Sequence, residues 1–493
     1  MSKITAYIYR VLFTSLSLFF VTVALAGPVY QPAGTNLTYG DVTHGQRTQS
    51  ASGNPAAAAA DSARQTERPA RGAMISAAAG LEYGNIENIF DFYDDLTNAY
   101  DPSDPGSGGG PGQNPGDKPE DGIDLGDIWD SLDPDFQATI DAVAQEVVTQ
   151  AALLAIIRND GYGRAWLSAD VPILFGGERF GGVWTFNANW SGASKAFGLV
   201  EPIEFDEGAA RAQLEDWYFG QPSNLPAQLP LGDQVRLLID PLTNAVKFVL
   251  QNDSSMVSKA VQTTELNVGY SRHAWSNESG SLFLGAEARL YLMRLSRLSV
   301  RFGDITNSEE LFDAIGNSEF RNAERMGVDI GALWVGNNYQ IGVQMTNINQ
   351  PNFIFPEVDL DPYSNEGIID FLQQDQVYTM DRQVKLEASL FSSDRRWSTH
   401  LGIDADSATD PLGDDFQWLT LSAAYDIDSL WIPSARIGFR QNLAGTEMKY
   451  VGIGFTAFKF VNFDIASALD SVKIDGKKLP QGLMASIGFQ ISW

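Results

Sequence analysis

Between Val328 and Trp493 the chain repeatedly carries runs that set an apolar residue at every second position, and no other feature restricts its fold as strongly. Successive side chains of a β-strand point to opposite faces, so a period of two gives each strand one apolar face and one polar or small face. Val328, Ile330, Ala332 and Trp334 lie opposite Gly327, Asp329 and Gly331. After the turn Gly336-Asn337-Asn338, Tyr339, Ile341, Val343 and Met345 oppose Gln340, Gly342, Gln344 and Thr346, which reads as a hairpin. The pattern recurs with Val384, Leu386, Ala388 and Leu390 against Lys385, Glu387 and Ser389, and with Trp397, Leu401 and Ile403 against Ser398, His400 and Asp404. Leu419 to Tyr425, Ala435 to Phe439, Val451 to Ala457 and Ala485 to Trp493 continue it, and an earlier pair runs through Leu266 to Tyr270 and Leu284 to Leu290.

A soluble sandwich also alternates, so the ends of the chain matter. Lys3 and Arg10 precede a nearly continuous apolar run from Val11 to Leu25, and Ala24-Leu25-Ala26 offers small residues for cleavage. At about 15 residues the run falls short of the roughly 20 that span a bilayer, so residues 1–26 read as a cleaved signal peptide and Gly27 as the start of the exported protein. No later segment offers even roughly 18 consecutive apolar residues, which leaves strands as the means of crossing a membrane. Trp334, Tyr339, Trp397 and Tyr425 sit near strand ends, where an interfacial girdle belongs. The closing residues Ile487, Phe489, Ile491 and Trp493 resemble the C-terminal signal read by the barrel-assembly machinery. The expectation is an all-β, antiparallel transmembrane β-barrel in the outer membrane of a diderm bacterium, with membrane lipid and that machinery as partners.

In such a barrel Glu287, Arg289, Lys385, Glu387, His400, Asp404, Asp406, Arg436 and Arg440 would project into the lumen. They suit either a selective pore or a hydrated, salt-bridged interior. A net charge of -29 leaves no basic stripe for nucleic-acid phosphates, and the absence of cysteine excludes disulfides, thiolate metal sites and thiol nucleophiles. The three histidines, His44, His273 and His400, are far apart in sequence, and no nucleophile-elbow, zincin or phosphate-loop motif occurs. The expectation is a non-enzyme with no cofactor, no metal and no nucleic-acid partner.

Ahead of the strands, residues 27–72 are rich in Gly, Ala and Thr and read as coil or short helix, and Met74 to Tyr83 as a first strand. Residues 91–132 form an acidic, Gly- and Pro-rich loop without the ligand spacing of a calcium loop. Between 133 and 158 the positions Phe136, Ile140, Val143, Val147, Ala151 and Leu154 share one face of an amphipathic helix, expected to pack against the protein rather than lie on a membrane.

Ser52-Gly53-Asn54-Pro55-Ala56 resembles the G-N-P-A hatch motif of the long-chain fatty-acid transporter superfamily of outer-membrane barrels, which includes secretion-associated barrels of the PorV type. Val328 to Phe353 resembles the paired strands of that group. The phrases at Leu401 to Pro411, Leu421 to Asp428, Ala435 to Gly445 and Val451 to Ala468 resemble the barrel proteins of plasmid conjugal transfer called TraF. A thioredoxin-like protein shares that name, and a chain without cysteine is not of that kind.

The resemblance implies a barrel of about 14 strands over residues 73–493, with residues 27–72 folded inside as a plug carrying Gly53, Asn54, Pro55 and Ala56. It implies a role in conjugation or a related secretion system, with proteins of that apparatus as partners. The alternative is a transporter of hydrophobic small molecules such as long-chain fatty acids, and the acidic loop adds a third reading as a surface or adhesive protein.

Overall fold

The computed structural model describes residues 33–44, 53–63, 71–84, 161–177, 181–201, 228–230, 234–239, 246–250, 252–304, 315, 317–427, 429–474 and 477–492. The signal peptide at 1–26, the acidic loop at 91–132, the helix at 133–158 and Trp493 lie outside these residues.

Fourteen antiparallel strands close into one barrel. In chain order they are β1 (Arg71–Tyr83), β2 (Tyr162–Gly177), β3 (Gly182–Leu199), β4 (Ser255–Asn277), β5 (Gly280–Arg301), β6 (Arg321–Val335) and β7 (Tyr339–Thr346). The second half comprises β8 (Gln383–Phe391), β9 (Trp397–Asp404), β10 (Trp418–Tyr425), β11 (Ser434–Asn442), β12 (Lys449–Ala457), β13 (Val461–Ala468) and β14 (Gly482–Ser492). Each strand pairs with its sequence neighbour, and β1 closes the ring on β14 from Gly72 opposite Ser492 to Glu82 opposite Gly482. The first strand begins at Arg71 rather than at 73.

The wall inverts the usual relation between hydropathy and burial. Along β12, Val451, Ile453 and Phe455 are 37%, 41% and 43% exposed, while Tyr450, Gly452, Gly454 and Thr456 are covered from within. On β14, Leu483, Ile487, Phe489 and Ile491 face outward and Ser486 inward. A continuous outward apolar face with polar groups inside is stable only where the surrounding solvent is hydrocarbon, and ring closure removes the unpaired strand edge that hydrocarbon forbids. The fold is that of an outer-membrane β-barrel.

The two rims differ. At one end the strands are joined by the short segments 278–279, 336–338, 392–396, 426–433 and 458–460; at the other the connections, apart from 443–448, are longer and several carry structure of their own. Short turns face the periplasm and long loops the exterior in barrels of this kind. Aromatic side chains collect at the short-turn rim: Trp275 and Trp334 lie 5.7 Å apart, Trp397 and Tyr425 4.5 Å, and Trp334 Nε1 donates to the Tyr339 hydroxyl over 3.2 Å. At the loop rim β4 and β5 run for 23 and 22 residues, about twice the 9 to 11 that a tilted strand needs to cross the bilayer. Their outward residues change from Leu266 and Val268 to Ser258, Gln262 and Thr264 as the wall rises out of hydrocarbon.

Two loops fold into the mouth. One carries the paired strands Asn352–Ile354 and Val377–Thr379 with helix α3 (Glu366–Gln374) between them; the other spans β9 to β10. Phe353, Phe355, Leu412 and Phe416 from these loops are fully buried against Tyr291, Met293 and Leu295 of β5 and Trp166 of β2. Ion pairs latch them to the wall: Arg164 reaches Asp410 at 2.6 Å and Asp414 at 2.9 Å, and Lys259 reaches Asp375 at 2.5 Å. A third loop rises between β13 and β14 as a hairpin, Ser471–Ile474 paired with Lys477–Pro480.

Candidate functional site in the barrel lumen

Two N-terminal segments rest on the inward face of the wall. Residues 33–44 contain α1 (Asn36–Tyr39) and touch β10, β11, β12, β13 and β14; residues 53–63 contain α2 (Ala57–Ala63) and touch β2, β3, β4, β5 and β6. They occupy opposite sides of the ring and meet at one residue of β8. The Glu387 carboxylate accepts from Thr43 N at 2.6 Å, Thr43 Oγ1 at 3.0 Å and Asn54 Nδ2 at 2.7 Å.

The local chemistry of each segment explains its shape. α1 stops at Gly40, whose φ of 68° lies in the left-handed region, and a Cβ there would also strike Thr420 of β10. Asn54 has two tasks: its Oδ1 accepts from Ala56 N at 3.0 Å, fixing the turn into α2, while its Nδ2 donates to Glu387. The wall makes room for the motif with glycine. A Cβ on Gly331 of β6 would collide with Asn54 Oδ1, and one on Gly285 of β5 with the Pro55 carbonyl. Ala56, Ala58, Ala59 and Ala60 then pack against Leu174, Val183, Phe283 and Leu333, and Ser271 Oγ accepts from Ala59 N at 3.0 Å.

An aspartate at position 54 could still accept from Ala56 N but could not donate to Glu387, and it would set a second carboxylate beside the first. Asn54→Asp is therefore expected to loosen residues 53–63 more than Asn54→Ser does. Limited proteolysis of the folded barrel in detergent checks this, with faster cleavage ahead of Arg71 in the aspartate variant.

The inward residues named from sequence divide into two groups. Lys385, Glu387, His400, Asp404, Arg436 and Arg440 line one contiguous side. Lys385 Nζ is 3.5 Å from Asp41 of the first segment and 3.7 Å from Asp404, whose Oδ2 accepts from Trp418 N at 2.8 Å. His400 bonds Ser389 and Ser398 at 2.8 and 3.0 Å, and its ring lies 5.2 Å from Tyr39, which stacks on His44 at 4.1 Å. Burial holds the His44 imidazole well below its usual range, with His400 and Arg436 adding to the effect, so the ring is neutral where it packs. Arg440 lies over the Trp418 ring at 4.0 Å.

Glu287 and Arg289 form the second group across the lumen. Arg289 meets Glu265 at 2.6 Å, Glu287 at 3.0 Å and Asp329 at 2.6 Å. Asp406 does not join either group: β9 ends at Asp404, and Asp406 is exposed in the following loop, where the alternation no longer applies. Ile487, Phe489 and Ile491 face outward on β14.

Several residues of the site escaped the sequence reading. Asp464 of β13 is fully buried and accepts from Arg436 Nε at 2.8 Å and Thr38 Oγ1 at 2.5 Å, yet β13 was not among the alternating runs. Its sequence VNFDIASA does alternate, with Phe463 and Ile465 outward against Asn462 and Asp464, and that signal was available. Thr38, Asp41 and Thr43 carried no local signal at all.

Comparison with solved structures places the chain beside barrels at low identity. The ΔS2S3 mutant of the TodX monoaromatic hydrocarbon channel has 10% identity, covering 94% of this chain and 98% of its own, with a TM-score of 0.41. The Pseudomonas putida toluene transporter TodX has 10% identity, coverage of 95% and 98%, and a TM-score of 0.36. A mutant Rh. blastica porin has 9% identity, coverage of 85% and 99%, and a TM-score of 0.23. No curated protein sequence matches. The family model described as "F plasmid transfer operon, TraF, protein" matches residues 51–406, from the G-N-P-A segment through β9. With a match over most of its length, the chain belongs to this TraF family of the F plasmid transfer operon.

Proposed function

We propose that this protein is a hatch-closed outer-membrane barrel of a conjugation or related secretion apparatus, acting by presenting its loops and lumen to partner proteins of that apparatus. Family membership supports the conjugative setting. The observation that carries the hatch is the clasp at Glu387, where one side chain of the wall holds two segments separated in the chain. A segment held by side-chain hydrogen bonds rather than woven into the sheet can leave without unfolding the barrel. Residues 27–70 are then the hatch, with Gly53, Asn54, Pro55 and Ala56 as its hold on the wall, and the signal peptide at 1–26 delivers the chain to the assembly machinery, which reads Ile487 to Trp493. Deleting the gene in a donor with an active transfer system is expected to lower mating frequency, and the wild-type gene to restore it. Unchanged mating would overturn the proposal.

A second reading has its own support. Between the inturned loops and the wall, Tyr291, Met293, Tyr378, Met380, Met448 and Met484 pack together in one buried apolar cluster, rich in thioether side chains that adapt to varied apolar shapes. Transport of hydrophobic small molecules would use that cluster. Native mass spectrometry of barrel taken from membranes checks it, and the absence of any retained apolar ligand counts against it.

A further inference from the structure

On the lipid-facing side of the wall, in the half nearest the loops, small residues fall together. Ala79 of β1 stands opposite Ala485 of β14, and Ala165 of β2 lies beside them. Taller side chains stand around these alanines: Leu167 and Ile465 close the row of Ala79 and Ala485 at its two ends, and Leu81 and Leu483 stand in the next row toward the loops, with Ala165 beside Leu81. The result is a groove of about 710 Å³, apolar except for Ser467, within the size range of ligand sites, roughly 300 to 1,000 Å³.

The β13–β14 hairpin rises from the rim of this groove. Leu469 and Leu483 line the groove, and the hairpin occupies residues 471–480 between them. It carries Lys473, Lys477 and Lys478, and Lys449 sits on the outward face of β12 two positions above Val451 of the groove. All four lysines are exposed, and among the described residues none has an ion-pair partner. The acids beside these lysines among the described residues are Asp470, whose Oδ2 accepts from Lys449 N at 3.3 Å, and the exposed Glu447 two positions before Lys449. A basic cluster stands out in a chain of net charge -29. Lys473 lies directly across the ladder from Lys478, an arrangement of like charges that destabilises a strand pair unless an anion sits between them.

We propose that this groove and hairpin form a site for a single phosphorylated glycolipid of the outer leaflet, with an acyl chain along Ala79, Ala165 and Ala485 and its phosphate held by the lysines above. The two parts lie at the depths that a lipid requires: hydrocarbon at the wall, phosphate at the interface, on the rim that faces the exterior. A second barrel copy would bury the apolar groove but would bring no counter-charge to the lysines, because each copy presents the same basic hairpin.

The test uses the full barrel in a mild detergent, examined by native mass spectrometry with three probes: a hexa-acyl, bisphosphorylated glucosamine disaccharide lipid, the same lipid dephosphorylated, and phosphatidylcholine. The wild type is expected to keep one phosphorylated glycolipid under activation that strips the other two. Replacing Lys449, Lys473, Lys477 and Lys478 by glutamine is expected to reduce its retention to that of the dephosphorylated lipid, and Ala79→Phe with Ala485→Phe to reduce retention of both glycolipids. Equal retention by wild type and the lysine variant overturns the proposal. So does displacement of the lipid by inorganic phosphate alone, or a dimer that the phenylalanine variant abolishes. The lysine changes lie outside the barrel core, so that variant decides the matter if the groove variant fails to fold, which its migration with and without boiling reports.

Discussion

On the proposed hatch, Glu387→Ala is expected to give a barrel that opens often. The change removes all three hydrogen bonds that tie Thr43 and Asn54 to β8, and it leaves the Thr43 N–H buried without that acceptor. Each lost bond to a buried partner costs about 1 to 3 kcal/mol, so seating of the N-terminal segments weakens by roughly 3 kcal/mol or more, on the order of a hundredfold in the open population. Planar-bilayer recordings should show bursts of conductance absent from the wild type, and protease should remove residues 27–70 from an otherwise intact barrel. Lys385→Ala is the contrasting control. Its partner in the N-terminal segments, Asp41, is 37% exposed and 3.5 Å away, a pair worth about 0 to 1 kcal/mol to their seating, so the segments should stay in place, whereas the lost 3.7 Å pair with the buried Asp404 weakens the wall itself. Identical conductance and protease resistance in Glu387→Ala and wild type would remove the clasp from the argument.

The second large effect is expected from Asp464→Leu. Asp464 is fully buried, bridged to Arg436 at 2.5 and 2.8 Å and to Thr38 Oγ1 at 2.5 Å, and Gly454 leaves the space that the pair fills. Leucine strands the Arg436 guanidinium in the interior, which costs about 3 to 5 kcal/mol, whereas removing both charges is often neutral. The single variant should lose its fast-migrating folded band at a markedly lower temperature than the wild type. The double variant Arg436→Met with Asp464→Leu should recover most of that loss. A double variant less stable than the single would mean that Arg436 finds other partners, with Thr456 Oγ1 at 2.7 Å the nearest candidate.

The barrel was legible in the sequence because the wall is a local object. Alternation along ten residues states which side chains share a face, and the runs from Val328 onward state it strand by strand. Where inward positions are small and outward ones are not strongly apolar, the signal weakens. β3 runs through Ser191-Gly192-Ala193-Ser194, a sequence that reads as coil as readily as strand. The interior is a different matter. Parity can direct Glu387 and Arg436 inward, but their partners, Thr43, Asn54 and Asp464, are set by register across the ring and by segments hundreds of positions away. The misplacement of Asp406 has the same origin, because backbone bonding to β8 reaches Ala405, whose N donates to Val384 O at 2.7 Å, and Asp406 lies beyond it in the loop.

The pairing of β1 with β14 also sets an order of events in biogenesis. Arg71 to Tyr83 leaves the export channel among the first structured residues, yet its second neighbour is the last strand made. Until Gly482 to Ser492 arrives, β1 has a row of free N–H and C=O groups that hydrocarbon will not tolerate, so no partial ring is a resting state in the bilayer. The N-terminal segments wait as well, since Glu387 and Asp464 both lie in the late half of the chain. Closure and sealing thus become a single late step, and a chain interrupted anywhere before its final strand forfeits membrane insertion as a whole instead of yielding a smaller barrel.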